Sequence, residues 1–182
     1  MMSSVLLHCC CGPCAAYAVK NLREQGLEVS ACWHNPNIHP FTEHRKRLES
    51  MQTLAEAWEI PLIVTKGYEM VDFIRAVVGH EKEGERCRDC YRIRLNKTAE
   101  IARENGFDKF TSTLLISPYQ NHELIRETGN KAAQENGVEF LFEDFSPGFR
   151  ESHRMARELG LYFQKYCGCI YSEYERYAKV KI

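Results

Sequence analysis

Short apolar runs alternate with longer amphipathic stretches along this chain. Residues 5–8, Val-Leu-Leu-His, read as a buried strand. The turn-forming Gly12-Pro13 pair follows, and an amphipathic helix is expected over 15–25. Residues 28–33 and 61–65 predict a second and a third strand. Between them, Leu48, Met51, Leu54, Ala55 and Trp58 recur on one face of a helix over 42–58. Helices are expected over 69–78 and 86–104, the latter stopped by Asn105-Gly106. Residues 109–115 and 139–145 predict strands four and five, with a helix over 123–136 between them. Two short helices, over 152–159 and 173–181, close the chain as a C-terminal helical extension.

This alternation predicts an α/β fold in a single domain, 1–182, with a mostly parallel five-stranded sheet covered on both faces. Ligands of such sheets lie beyond the carboxyl ends of the strands. The first expected strand runs directly into Cys9-Cys10-Cys11-Gly12-Pro13-Cys14.

Composition narrows the class. Hydrophobic residues at 44% and charged residues at 27% exclude a disordered chain. No apolar run is long enough for a membrane span. The start of the chain lacks the basic flank of an export signal, so a cytoplasmic setting without membrane contact is expected. With a net charge of −1, binding of nucleic acid would need local basic patches. Nine cysteines, clustered and odd in number, point to metal binding or redox chemistry and not to a disulfide scaffold.

In the first cluster, the turn after Cys11 lets neighbouring thiols converge. Cys14 is expected near a helix N-terminus, where the helix dipole favours a thiolate. Cys11-Gly-Pro-Cys14 also matches the thioredoxin redox motif, a reading that leaves Cys9 and Cys10 without a role. The second cluster, Cys87-Arg-Asp-Cys90, has the i, i+3 spacing that puts two sulfurs on one side of a helix turn. Two thiolates from each cluster, Cys10, Cys11, Cys87 and Cys90, make a four-sulfur site. That set suits zinc or an iron–sulfur cluster, and the spacing does not separate them. Cys167-Gly-Cys169 can close a small strained disulfide, which is readily reduced.

Two basic groups stand out, Arg45-Lys46-Arg47 and Arg86, Arg88, Arg92 and Arg94. The second flanks the CxxC, which makes a phosphate-bearing substrate an expectation there. Ser117 and Tyr119 end a hydroxyl-rich strand and are candidates to cradle a phosphate or stack a base. No GxGxxG or Walker A pattern is present.

HCCCGPC, NPNIHP, RCRDC, TSTLLISPYQN and QKYCGC occur in this order along nearly the whole chain. Together they resemble the QueH-type epoxyqueuosine reductase family. The resemblance implies a Rossmann-like domain that reduces the epoxide of epoxyqueuosine at the tRNA wobble position. It implies a [4Fe–4S] cluster on Cys10, Cys11, Cys87 and Cys90, an additional iron ion beside it that Cys14 could help ligate, and a redox-active pair at Cys167 and Cys169. The partners implied are tRNA carrying epoxyqueuosine and an unidentified electron donor. The rival reading is a zinc-stabilised RNA-binding module without catalysis.

Overall fold

The computed structural model describes residues 3–182. Five strands form one sheet: β1 (Ser4–His8), β2 (Glu28–Trp33), β3 (Leu62–Val64), β4 (Lys109–Ser112) and β5 (Glu139–Phe140). Their order is β3-β2-β1-β4-β5 and every neighbouring pair is parallel. The sheet is thus wholly parallel, where a mostly parallel one was expected. β1 is central, with His8 in register with Cys32 of β2 on one side and Ser112 of β4 on the other.

Among the described residues seven α-helices cover it: α1 (Gly12–Glu24), α2 (Phe41–Ala57), α3 (Met70–Val77), α4 (Glu85–Glu104), α5 (His122–Asn136), α6 (Phe149–Glu158) and α7 (Ile170–Ala178). α1 packs against α2 and α6, and α4 packs against α5 and α3. Val5, Leu6 and Leu7 are fully buried, as a strand covered on both faces requires. Among the described residues no helix is long and apolar enough to cross a membrane.

Element ends follow local chemistry. α1 begins three residues earlier than the periodicity suggests, because Cys11 caps it and Pro13 sits in its first turn. α5 opens on Asn121, whose Oδ1 accepts from the Leu124 N–H at 3.0 Å, and closes at Gly137, where φ is +68°. Three strands are shorter than expected, β3 by one residue at each end. β4 stops at Ser112, whose hydroxyl accepts from the Leu114 N–H and starts a 3₁₀ turn over Thr113–Ile116. That turn is buried throughout, so its apolar run mimics strand. β5 ends at Phe140, where the Leu141 N–H bonds to Phe110 O at 2.9 Å, although β4 itself runs on to Ser112.

Candidate metal centre

The strand order reverses at β1, which has β2 on one side and β4, reached after the crossover, on the other. A crevice opens at such a point beyond the strand ends. Cys9 still belongs to the sheet: its N–H bonds to Cys32 O at 2.8 Å, and its thiol is fully buried and directed at Leu7 O. Cys10 then leaves the ladder, and its N–H donates to Thr113 Oγ1 at 3.2 Å, beyond the end of β4. The same hydroxyl donates to Cys10 Sγ at 3.4 Å. Cys11 caps α1, its sulfur accepting from the Cys14 N–H at 3.3 Å.

The sulfurs of Cys10, Cys11 and Cys14 all lie within 4.8 Å of one another, and Cys10 and Cys11 are 4.0 Å apart. Two thiolates on one tetrahedral ion stand about 3.8 Å apart for metal–sulfur bonds of about 2.3 Å. The trio is therefore close enough to share a sulfur-ligated metal. The thiols of Cys11 and Cys14 hydrogen-bond to Cys10, and with help from Arg94 they hold Cys10 well below the usual thiol range. Cys11 is raised, first by burial. Cys14 is raised well above its ordinary value, first by its bond to Cys10. The expectation of a thiolate at Cys14 is thus corrected. Its proton is shared toward Cys10, and this outweighs the helix terminus.

Cys87 and Cys90 lie in the first turns of α4 and are half-buried. Burial pushes Cys90 up to about 12. One turn on, Arg94 is buried. It donates to Cys90 Sγ at 3.7 Å and to Asn35 Oδ1 at 3.0 Å, while its Nε has no partner. Asn35 in turn donates to Cys9 O at 2.8 Å. Among the described residues no carboxylate pairs with Arg94; against burial, its charge is favoured by the thiols of Cys90, Cys10 and Cys167, and it adds to burial in lowering the neighbouring His8 and His34. A buried cation needs an anionic partner. Here sulfur is the available one.

The third group is placed by a different arginine. Arg47 of α2 is fully buried, paired with Glu43 at 2.7 Å, and donates to Cys167 O at 2.9 Å and Tyr166 O at 3.0 Å. The His39 N–H donates to Gly168 O at 2.8 Å, and His39 Nδ1 accepts from the Ile170 N–H at 3.2 Å. Gly168 has φ +155°, and a Cβ there would stand 3.1 Å from Asn37 Nδ2. The 35–40 loop therefore clasps the CGC segment. Gln120 donates to Cys167 Sγ at 3.5 Å. Cys169 packs with Phe73, Val77 and Cys90, and its sulfur caps α7 through the Ser172 N–H at 3.4 Å. All nine cysteines are free, so Cys167 and Cys169 stand as a dithiol, with Cys167 exposed and Cys169 buried.

The expected phosphate-binding group divides. Arg86, Arg94 and Arg47 are buried and engaged, Arg86 with Glu175 at 2.5 Å, so they cannot present charge at the surface. Arg88, Arg92, Arg45 and Lys46 are exposed. Arg88 and Arg92 line a groove between α4 and α5 that also holds Glu127 and Glu135. Ser117 accepts from the Tyr119 N–H at 3.3 Å, and Tyr119 itself is 85% exposed. Sequence reasoning missed Thr113, Gln120 and Gln164 as thiol neighbours and Asn35 as the partner of Arg94. All four lie inside the quoted motifs, but uncharged polar residues follow no spacing rule that would single them out.

A family model described as "Epoxyqueuosine reductase QueH" matches residues 5–175. The chain is similar to the epoxyqueuosine reductase QueH of Dehalococcoides mccartyi, with 42% identity over 98% of this chain and 97% of that one. It is 35% identical to that of Thermotoga maritima over 98% and 94% of the two chains, and 36% identical to that of Streptococcus pyogenes over 93% and 70%. Among solved structures, a predicted subunit of tRNA methyltransferase from Methanocaldococcus jannaschii superposes with a TM-score of 0.56 at 11% identity. That match covers 86% of this chain and 75% of the other, and it supports a Rossmann-like fold. With the family match spanning nearly all five strands and every cysteine group, the chain belongs to the QueH family of epoxyqueuosine reductases.

Proposed function

We propose that the protein, acting as one domain in the cytoplasm, reduces the epoxide of epoxyqueuosine at the tRNA wobble position to the alkene of queuosine. The observation that carries this reading is the Cys10, Cys11 and Cys14 trio at the sheet's switch point, with the buried charge of Arg94 acting on Cys90, Cys10 and Cys167, in a chain of this family. The net change takes two electrons and two protons, breaks two C–O bonds and releases the oxygen as water.

The sulfur-only donor set and the carboxylate-free Arg94 fit a thiolate-bound iron–sulfur group. Cys10, Cys11, Cys87 and Cys90 would hold a [4Fe–4S] cluster, and Cys14 would contribute to an additional iron. When bound, such a group transfers single electrons and polarises oxygen ligands. Cys167 and Cys169 supply the complementary capacity. Oxidising this dithiol to a disulfide yields two electrons and two protons, matching the balance above. Cys167, the more exposed residue of the pair, would be the one re-reduced by the electron donor, while Arg47 and His39 keep the segment in place. Exposed Arg88, Arg92, Arg45 and Lys46, with Ser117 and Tyr119, are the surface groups we assign to tRNA.

The test uses protein purified without air and tRNA carrying epoxyqueuosine. Mass spectrometry should show loss of one oxygen from the nucleoside, and the protein should contain iron and labile sulfide. Changing Cys10, Cys11, Cys87 or Cys90 to Ser should remove metal and turnover together. Changing Cys167 or Cys169 to Ser should keep the metal and abolish turnover. Colourless protein with one zinc and no turnover would mean a zinc-stabilised RNA-binding module instead.

A further inference from the structure

Four aromatic rings form a continuous row beside the thiols. Tyr119 and Phe149 have centroids 6.3 Å apart, Phe149 and His153 4.5 Å, and His153 and Phe163 5.3 Å. Phe149 and His153 are one turn apart on α6, and Arg157 is the next turn, its guanidinium 5.8 Å from the Phe163 centroid. Ser152 and Ala156 are the buried positions of α6, with Ser152 bonded to Tyr17 N of α1, and Phe149, beside them, and Phe163 pack partly against the core. Tyr119 is exposed, and the half-buried Phe149, His153 and Phe163 each leave part of the side chain at the surface.

Its placement and charge are specific. Tyr119 precedes Gln120, which touches Cys167 Sγ, and Phe163 precedes Gln164, whose amide is 3.5 Å from Cys14 Sγ. At each end of the row the next residue along the chain thus reaches a thiol. Arg154 is paired with Glu151 and Glu158, whereas Arg150, Arg157 and Lys165 make no ion pair among the described residues. Burial and Arg157 hold His153 below its ordinary value, so it presents a neutral ring. A Tyr kept 85% in water adds nothing to the core. Rings held in place beside free cations are what unpaired nucleotides require, because every base offers a π-face and every phosphate a charge.

We propose that Tyr119, Phe149, His153 and Phe163 form a stacking surface for unpaired bases of an RNA loop, flanking the nucleotide that enters the thiol centre. This rests on the reading of tRNA as substrate. A paired duplex cannot use the row, because its bases are already stacked on each other.

Full-length protein is titrated with a labelled anticodon stem–loop RNA and with a duplex of equal length. Wild type should bind the stem–loop more tightly than the duplex. Tyr119→Ala should weaken stem–loop binding about fivefold or more, the low end of one base–aromatic contact, and Tyr119→Phe should restore it. Phe163→Leu, which keeps apolar volume but loses the ring, should weaken it similarly. Duplex affinity should not change in any variant. Unchanged stem–loop affinity in Tyr119→Ala and Phe163→Leu overturns the stacking surface while leaving the tRNA reading intact, as does equal binding of loop and duplex by wild type. A wild-type protein that binds neither RNA overturns the substrate reading and the surface with it.

Discussion

Arg94 shows how one residue can carry an assignment. As part of a basic run beside a CxxC it looks like a phosphate contact. Its burial reverses that, because a buried guanidinium cannot meet a surface phosphate and must find its anion inside. Its neighbours are Cys90 Sγ, the Asn35 amide and the field of Cys10 and Cys167. Arg94 is therefore a positioning residue that favours thiolates over thiols. Arg94→Gln keeps a hydrogen-bond donor for Asn35 and removes the charge. It should weaken metal retention about 10- to 100-fold, as loss of a ligand-supporting group does. Competition with a chelator under anaerobic conditions measures this, and undiminished retention would show that the charge is not used by the thiols. Cys10 and Cys14 make a similar point. Their sequence positions favoured Cys14 as thiolate, and the bonds among three neighbouring thiols favour Cys10.

At the scale of elements, the turn after β1 depends on how closely α2 approaches α1. A Cβ on Gly12 would lie 2.6 Å from the carbonyl oxygen of Ser50 and 2.8 Å from its hydroxyl. Backbone cannot move aside as a flexible side chain can. Gly12→Ala must then separate the two helices at the position between Cys11 and Cys14. A cost of about 2 kcal/mol is expected, larger than the helix-propensity gain of about 1 kcal/mol. Urea denaturation of the metal-free protein reads it, and an Ala variant as stable as the parent would show that α2 yields. β4 and β5 illustrate the converse limit of local pattern. Leu114, Leu115 and Ile116 are buried just as strand residues would be, yet Ser112 captures the Leu114 N–H and converts the run into a 3₁₀ turn. That turn delivers Thr113 to Cys10.

Across the whole molecule, buried histidines couple stability to pH. Burial lowers His34 to about 4 and His39 to about 4. His39 Nδ1 accepts a backbone N–H from the CGC segment, a role that requires that nitrogen unprotonated. Both rings are neutral in the folded state and titrate near 6.5 when unfolded, so between those values the unfolded chain binds more protons. Stability is then fully present above about pH 6.5 and falls as pH drops toward 4, by about 1 kcal/mol per pH unit for each histidine. Denaturation midpoints of the metal-free protein at pH 7 and pH 5 should differ accordingly. A midpoint that is unchanged or rises on acidification would rule this out. His44, also lowered by burial, acts in the same direction.

Periodicity and punctuation were enough for the element order, the parallel five-stranded sheet and the arrival of Cys10 and Cys11 at the end of β1, because burial on both faces and a Gly-Pro turn leave their mark locally. The ordered cysteine motifs were enough for the family. What the sequence could not carry was which side of the surface each charge occupies. Arg86 and Arg88 are two residues apart, and one is locked to Glu175 inside while the other faces solvent. Nor could it carry the protonation order of three adjacent thiols or the clasp that His39 and Arg47 close on Gly168 and Cys167. Those depend on desolvation and on contacts between residues far apart along the chain, such as His39 and Gly168 at 129 positions, and only the packed chain brings such groups within bonding distance.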